Sequence, residues 1–116
     1  MPKDDPLQID IEEGRNPGTR ILRLTGPVTL ANLFALQDAL RGGQQAPVTI
    51  LELCGVLYMD SAGMGAVINY FTHCQRNGNR LLVAGVSPRV RELFKMTRVD
   101  TIIPMLETVD EAEAQV

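Results

Sequence analysis

The sequence predicts an α/β fold: a mixed, mainly parallel sheet of four to five strands with about four helices. Two observations carry that reading. From Arg20 onward, short runs of strand-forming residues alternate with segments whose apolar residues recur at helical spacing, and that alternation implies a parallel sheet. Two of the runs, VTILELC (48–54) and RLLVAGV (80–86), are apolar at nearly every position, as strands covered on both faces are. The chain has 116 residues, 45% of them apolar, which is enough for one compact domain over 1–116 with a real core.

Taken in order, residues 1–6 read as a loose tail. Leu7, Ile9 and Ile11 alternate with polar neighbours, the period of a half-buried strand. Turn chemistry at Asn16-Pro17-Gly18 then leads to a second strand, RILRL (20–24), pairing with the first as a hairpin. Gly26-Pro27 breaks that strand, and Thr29 is placed to cap a helix running to about Arg41, with Leu30, Leu33, Leu36 and Leu40 as its buried stripe. GGQQAP ends the helix. After the 48–54 strand, Met64, Val67, Ile68, Phe71 and Cys74 form a second helical stripe, closed by Arg76-Asn77-Gly78. Ser87-Pro88 reads as a capping serine and a first-turn proline for a third helix, which buries Val90, Leu93 and Phe94 and runs to about Met96. TIIPM (101–105) reads as a short strand at the sheet edge, because Pro104 has no amide to donate. Thr108 and Glu111 have capping-box spacing and start a last acidic helix near 109.

Composition narrows the function. The net charge is −3 and no basic stripe is present, which argues against nucleic acid or an anionic membrane as partner. No run reaches the roughly 20 apolar residues of a membrane span. The acidic MPKDDPLQID start has no signal-peptide core, so the expected location is cytoplasmic. One histidine and two widely separated cysteines give no metal site, and Cys54 and Cys74 are expected to be buried thiols. No cofactor is expected.

The segment YMDSAGMGAV (58–67) is the unusual one. It places two glycines in the first turns of a helix, at a cost of roughly 1 kcal/mol each relative to alanine. In an open α/β sheet, ligands and partners meet the carboxyl ends of the strands. Three loops are expected there: Gly26–Thr29, Met59–Gly63 and Gly85–Arg89. The middle loop presents Asp60 and Ser61 at a helix start, where unpaired amides favour an anion and where a phosphate on Ser61 would be tolerated. Opposite the apolar stripe lie Ala62, Gly65, Ala66, Asn69 and His73, and no charged residue falls between Ser61 and Gln75 if His73 is neutral. Such a smooth, uncharged face admits another protein's backbone and would also permit a homodimer. The alternative is that Ser61 only caps the helix and the glycines only fit it against the sheet. A serine nucleophile lacks a base, since His73 is some three turns away along the helix. Glu52 and Asp60, eight residues apart, read as a strand acid and a loop acid, and Gly63 and Gly65 match no nucleotide-binding fingerprint.

LELCGVLYMDSAGMGAVINYF followed by GNRLLVAGVSPRVRELFKMTRVDTII resembles the STAS domain of bacterial anti-sigma factor antagonists, and the resemblance runs from about Thr19 to the C-terminus. It implies a non-enzymatic regulator that binds an anti-sigma factor and so frees a sigma factor. In that family many anti-sigma factors are also serine kinases; they phosphorylate the serine after the aspartate, here Ser61, which ejects the antagonist until a phosphatase restores it. The partner-binding surface so implied comprises Thr29, Met59, Asp60, Ser61, Ala62, Gly63, Gly65, Ala66, Asn69 and Ser87. Two positions depart from the pattern: an acid is often found where Thr29 stands, and Ala62 replaces an occasional second hydroxyl. Stand-alone STAS domains also resemble subunits that brace lipid-transport ATPases, and a ligand-sensing STAS module is a further alternative.

Overall fold

A computed structural model describes residues 6–42 and 46–116. Most of the predicted tail and the Gly43-Gln44-Gln45 part of the predicted turn lie outside the described residues.

The sheet has five strands in the spatial order of the chain: β1 (Gln8–Glu13), β2 (Thr19–Thr25), β3 (Val48–Gly55), β4 (Arg80–Ala84) and β5 (Met105–Leu106). β1 runs antiparallel to β2, and all other pairs are parallel. The crossovers are α1 (Leu33–Arg41), α2 (Ser61–Arg76) and α3 (Pro88–Met96), and α4 (Val109–Glu113) follows β5. The predicted mainly parallel sheet and four helices are therefore present.

The sheet buries two unequal layers. Leu22, Leu24, Leu51, Leu53, Leu81 and Val83 point to one side and meet Leu36 and Leu40 of α1, Val67, Tyr70 and Cys74 of α2, and Val90 and Phe94 of α3. Ile21, Val48, Ile50, Leu82 and Ala84 point to the other, where Ala112 of α4 closes over them with help from Leu106 and Val109. β2, β3 and β4 are all buried on both faces, and β3 and β4 show it in their continuous apolar runs.

Arg20 is the least expected member of the interior, only 8% exposed. Its guanidinium donates to Thr49 Oγ1 (3.0 Å), Tyr70 OH (2.8 Å) and the carbonyls of Ala39 and Leu40. The carbonyl end of α1 is negatively polarised, so a buried cation is stabilised there and ties α1 to α2.

Five local expectations are corrected. Thr29 does not cap α1; it caps a 3-10 turn over Leu30–Asn32, and α1 begins only at Leu33. The intervening turn rotates Leu30 out of the predicted stripe to 66% exposure, beside Phe34 at 72%. Ile11 is likewise exposed, on a strand at the edge of the sheet. Residues 99–101 form another 3-10 turn, which shortens the predicted 101–105 strand to Met105–Leu106. Cys54 is exposed while Cys74 is buried. Cys54 lies at the end of β3, where the neighbouring Glu52 carboxylate, and secondarily desolvation, push its thiol up and disfavour the thiolate.

Candidate functional site: the helix start at Ser61

The three predicted loops meet at the carboxyl end of the sheet. Val28 and Met59 form an isolated parallel bridge, with Val28 N donating to Tyr58 O (3.0 Å) and Asp60 N to Val28 O (3.2 Å). The third loop is tied in by Ser87, whose Oγ donates to Val56 O at 2.7 Å. Arg89 lies over the Tyr58 ring, 5.9 Å from its centroid.

Asp60 organises the junction. Its Oδ1 accepts from Gly63 N at 2.9 Å, which caps α2, and its Oδ2 accepts from Leu30 N at 3.1 Å, which holds the 3-10 turn. One carboxylate thus serves two helix starts. Because Asp60 is the cap, Ser61 is not. Ser61 is the first residue within α2, exposed, and its hydroxyl takes no part in capping. Helix geometry gives the amides of Ser61 and Ala62 no acceptor within α2, so the hydroxyl stands at a positively polarised tip. No other acid occupies that first turn.

Gly63 faces inward: a Cβ there would lie 2.3 Å from the carbonyl oxygen of Val28. The bridge between the first two loops therefore requires a residue without a side chain. Gly65 faces outward, with no atom within 4 Å of where its Cβ would be. The open face of α2 is completed by half-buried Ala62 and His73 and by exposed Asn69. His73 stacks on Tyr70 at 5.9 Å between centroids.

The structure divides the predicted partner-binding set. Asp60, Ser61, Ala62, Gly65 and Asn69 reach the surface. Thr29, Met59, Gly63, Ala66 and Ser87 are buried and work inside the fold. Ala66 was expected on the outer face, but it packs on the core at 5% exposure; the 3.6-residue period turns it towards the sheet with Gly63 and Val67. Thr29 Oγ1 accepts from Ala31 N, and its own amide donates to Asn32 Oδ1 at 2.8 Å, so this side chain is turned into the loop. Ser87 stands at the cap position of α3 but makes no side-chain cap. Glu52 is engaged by Arg23 at 2.7 Å, separately from Asp60.

Exposed apolar residues near Ser61 were missed by sequence reasoning. Leu30, whose amide donates to Asp60, is exposed, as are Phe34 in the first crossover, Leu57 in the loop before Asp60, and Met96 at the end of α3. A shallow groove of about 420 Å³ runs there between Tyr58, Arg89, Leu93 and Met96. The larger hollow, about 600 Å³, lies at the opposite end of the sheet, around Ile11, Gly18 and Arg20. Among the described residues no three His, Cys, Asp or Glu side chains gather as a metal site requires, and no helix is long and apolar enough to cross a membrane.

The site is thus an exposed helix-start serine beside a capping aspartate, at one end of a helix face made of small and uncharged residues in a small α/β fold. The chain belongs to the STAS domain family, whose sequence pattern matches residues 10–112. It is 28% identical over 104 residues to an anti-sigma F factor antagonist of Paenibacillus polymyxa, with 87% of each chain covered. Its fold superposes on an anti-sigma factor antagonist from Mycobacterium paratuberculosis with a TM-score of 0.85 at 18% identity, covering 96% of this chain and 94% of that one. It also superposes on the phosphorylated form of the Bacillus cell fate determinant SpoIIAA, with a TM-score of 0.71 at 19% identity over 93% and 98% of the two chains.

Proposed function

We propose that this chain is an anti-sigma factor antagonist: it binds an anti-sigma factor, thereby frees a sigma factor, and is switched off by phosphorylation of Ser61. The observation that carries the reading is the division of labour at the start of α2. Asp60 caps the helix, which leaves the Ser61 hydroxyl exposed at the polarised tip. The kinship with an anti-sigma F factor antagonist supplies the partner class.

The switch follows from charge. Unmodified, the outer face of α2 around Gly65 and Asn69 carries no charged side chain, and the Asp60 carboxylate at its tip is already hydrogen-bonded to the amides of Gly63 and Leu30. A partner can therefore bury this surface without stripping an unpaired ion of its water. Phosphorylation joins Ser61 Oγ to the γ-phosphorus of the kinase's ATP, with ADP leaving and the hydroxyl proton lost. The chain supplies only the acceptor hydroxyl; the nucleotide and its magnesium belong to the partner. The product places about −1.5 to −2 charges in the centre of the interface. The helix tolerates that charge at its N-terminus, so the fold persists while docking is lost. A phosphatase reverses the change, and the cycle is cytoplasmic.

Capture of the tagged chain from its source cells, followed by incubation with the captured partner and ATP, tests this directly. The expected result is an anti-sigma factor of kinase fold and a single modified site at Ser61. Recovery of a transport ATPase with Ser61 unmodified would replace the reading with the ATPase-bracing role, which the inward-turned Thr29 in place of an acid favours.

A further inference from the structure

We propose that Glu113 is the catch of a detachable clasp: the β1–β2 turn is a carboxylate receptor that holds α4 against the second face of the sheet, and losing the catch frees α4 without unfolding the rest. The receptor is made largely of backbone. Arg15 N and Asn16 N, successive amides in the turn, donate to Glu113 Oε2 and Oε1 at 2.7 and 3.2 Å. Asn16 Nδ2 adds contacts to Oε1 (3.2 Å) and to the Glu113 carbonyl (2.9 Å), and Arg15 Nε lies 3.5 Å from Oε2. Consecutive amides aimed at one anion form a nest. Gly14 leaves room for it, since a Cβ there would lie 2.7 Å from Glu113 Oε1. The carboxylate is buried, in residue terms 5% exposed, although it stands almost at the end of the chain.

The rest of α4 has little of its own to hold it. It is five residues long, far below the length at which an isolated helix is stable. Its apolar contribution is Ala112 and part of Val109, yet beneath them lie Ile21, Ile50 and Leu82. The Thr108 cap is internal to the α4 segment and would leave with it. A segment with few apolar contacts and one dense polar anchor opens locally when the anchor is lost.

The charged surroundings single out one group. Arg15 touches the carboxylate and also reaches Asp110 at 3.2 Å. On the strands packed against α4, Arg80 of β4 is directed to Gln115 O, Glu107 beyond β5 pairs with Arg91, and Glu52 of β3 pairs with Arg23. The Arg15 amide, together with the Asn16 donors, holds the Glu113 carboxyl below its ordinary value of 4.5, against an opposing desolvation. A group lowered in the folded state contributes fully above its ordinary value, and that contribution is lost as pH falls through the lowered one.

Amide hydrogen-exchange protection in the full chain tests the clasp, with Glu113→Gln and Asn16→Ala as variants. At neutral pH, Glu113→Gln should cut protection of the Ala112 and Ala114 amides about tenfold or more while β3 and α2 keep theirs, and Asn16→Ala should do the same more weakly. Wild-type α4 protection should also fall below pH 4.5, and Glu113→Gln should be flat there. Unchanged α4 protection in Glu113→Gln, or a loss that runs equally through α4, β3 and α2, would overturn the proposal. Neither result bears on Ser61, which lies at the other end of the fold's chemistry.

Discussion

Gly63 and Gly65 are two residues apart on α2 and face opposite ways. The inner one is a requirement of the fold, because the carbonyl of Val28 occupies the place of a side chain. The outer one meets nothing within the molecule, so the fold gives no reason for it. The same contrast runs through the neighbouring residues: Met59, Ala66 and Ser87 bind the loops and core together, whereas Ser61 and Asn69 reach only solvent. The first turns of α2 thus have one side set by packing and one side that packing leaves free.

That contrast can be broken residue by residue. Gly63→Ala should be the most damaging change, destabilising by about 3 kcal/mol, because the clash is with backbone; a denaturant melt measures it. Asp60→Ala should cost about 2 kcal/mol, as it removes the cap of α2 and leaves Leu30 N without its acceptor, while Asp60→Asn, whose single carbonyl oxygen can keep only one of the two bonds, should recover about half of the loss. Phe34→Ala should leave stability within about 0.5 kcal/mol, since the ring is exposed, yet weaken anti-sigma factor binding about tenfold. Gly65→Ala should act in the opposite direction on stability, a gain of about 1 kcal/mol from helix propensity. If the outer face is a docking surface, the same added methyl should weaken partner binding, which a titration against the partner will show.

The comparison also shows why the sequence was legible in some places and opaque in others. The parallel sheet could be read because β3 and β4 are buried on both faces, and no other common architecture writes such uninterrupted apolar runs. Exposure of Ser61 could be anticipated from its position after an aspartate at a helix start. The inward direction of α2 was read from its larger side chains, Met64, Val67, Ile68, Phe71 and Cys74, whereas the residues buried most deeply are Gly63, Ala66, Val67, Tyr70 and Cys74. Ala66 was misassigned because that stripe lies about one residue further round the helix than the buried one. Leu30 and Phe34 were hidden by the 3-10 turn at Leu30–Asn32, which shifts the helical phase after Thr29; the Asn32 side chain accepting from the Thr29 amide was the signal available. The receptor for Glu113 was invisible because it joins residues about a hundred positions apart through backbone amides, which carry no side-chain signature.

The most direct test of the account compares Ser61→Asp with wild type in two measurements on the same samples: thermal stability and affinity for the isolated anti-sigma factor. Stability should be equal or slightly higher, because a charge at the α2 tip suits the helix dipole, and binding should be weakened at least tenfold. Undiminished affinity in a folded Ser61→Asp protein would contradict the switch.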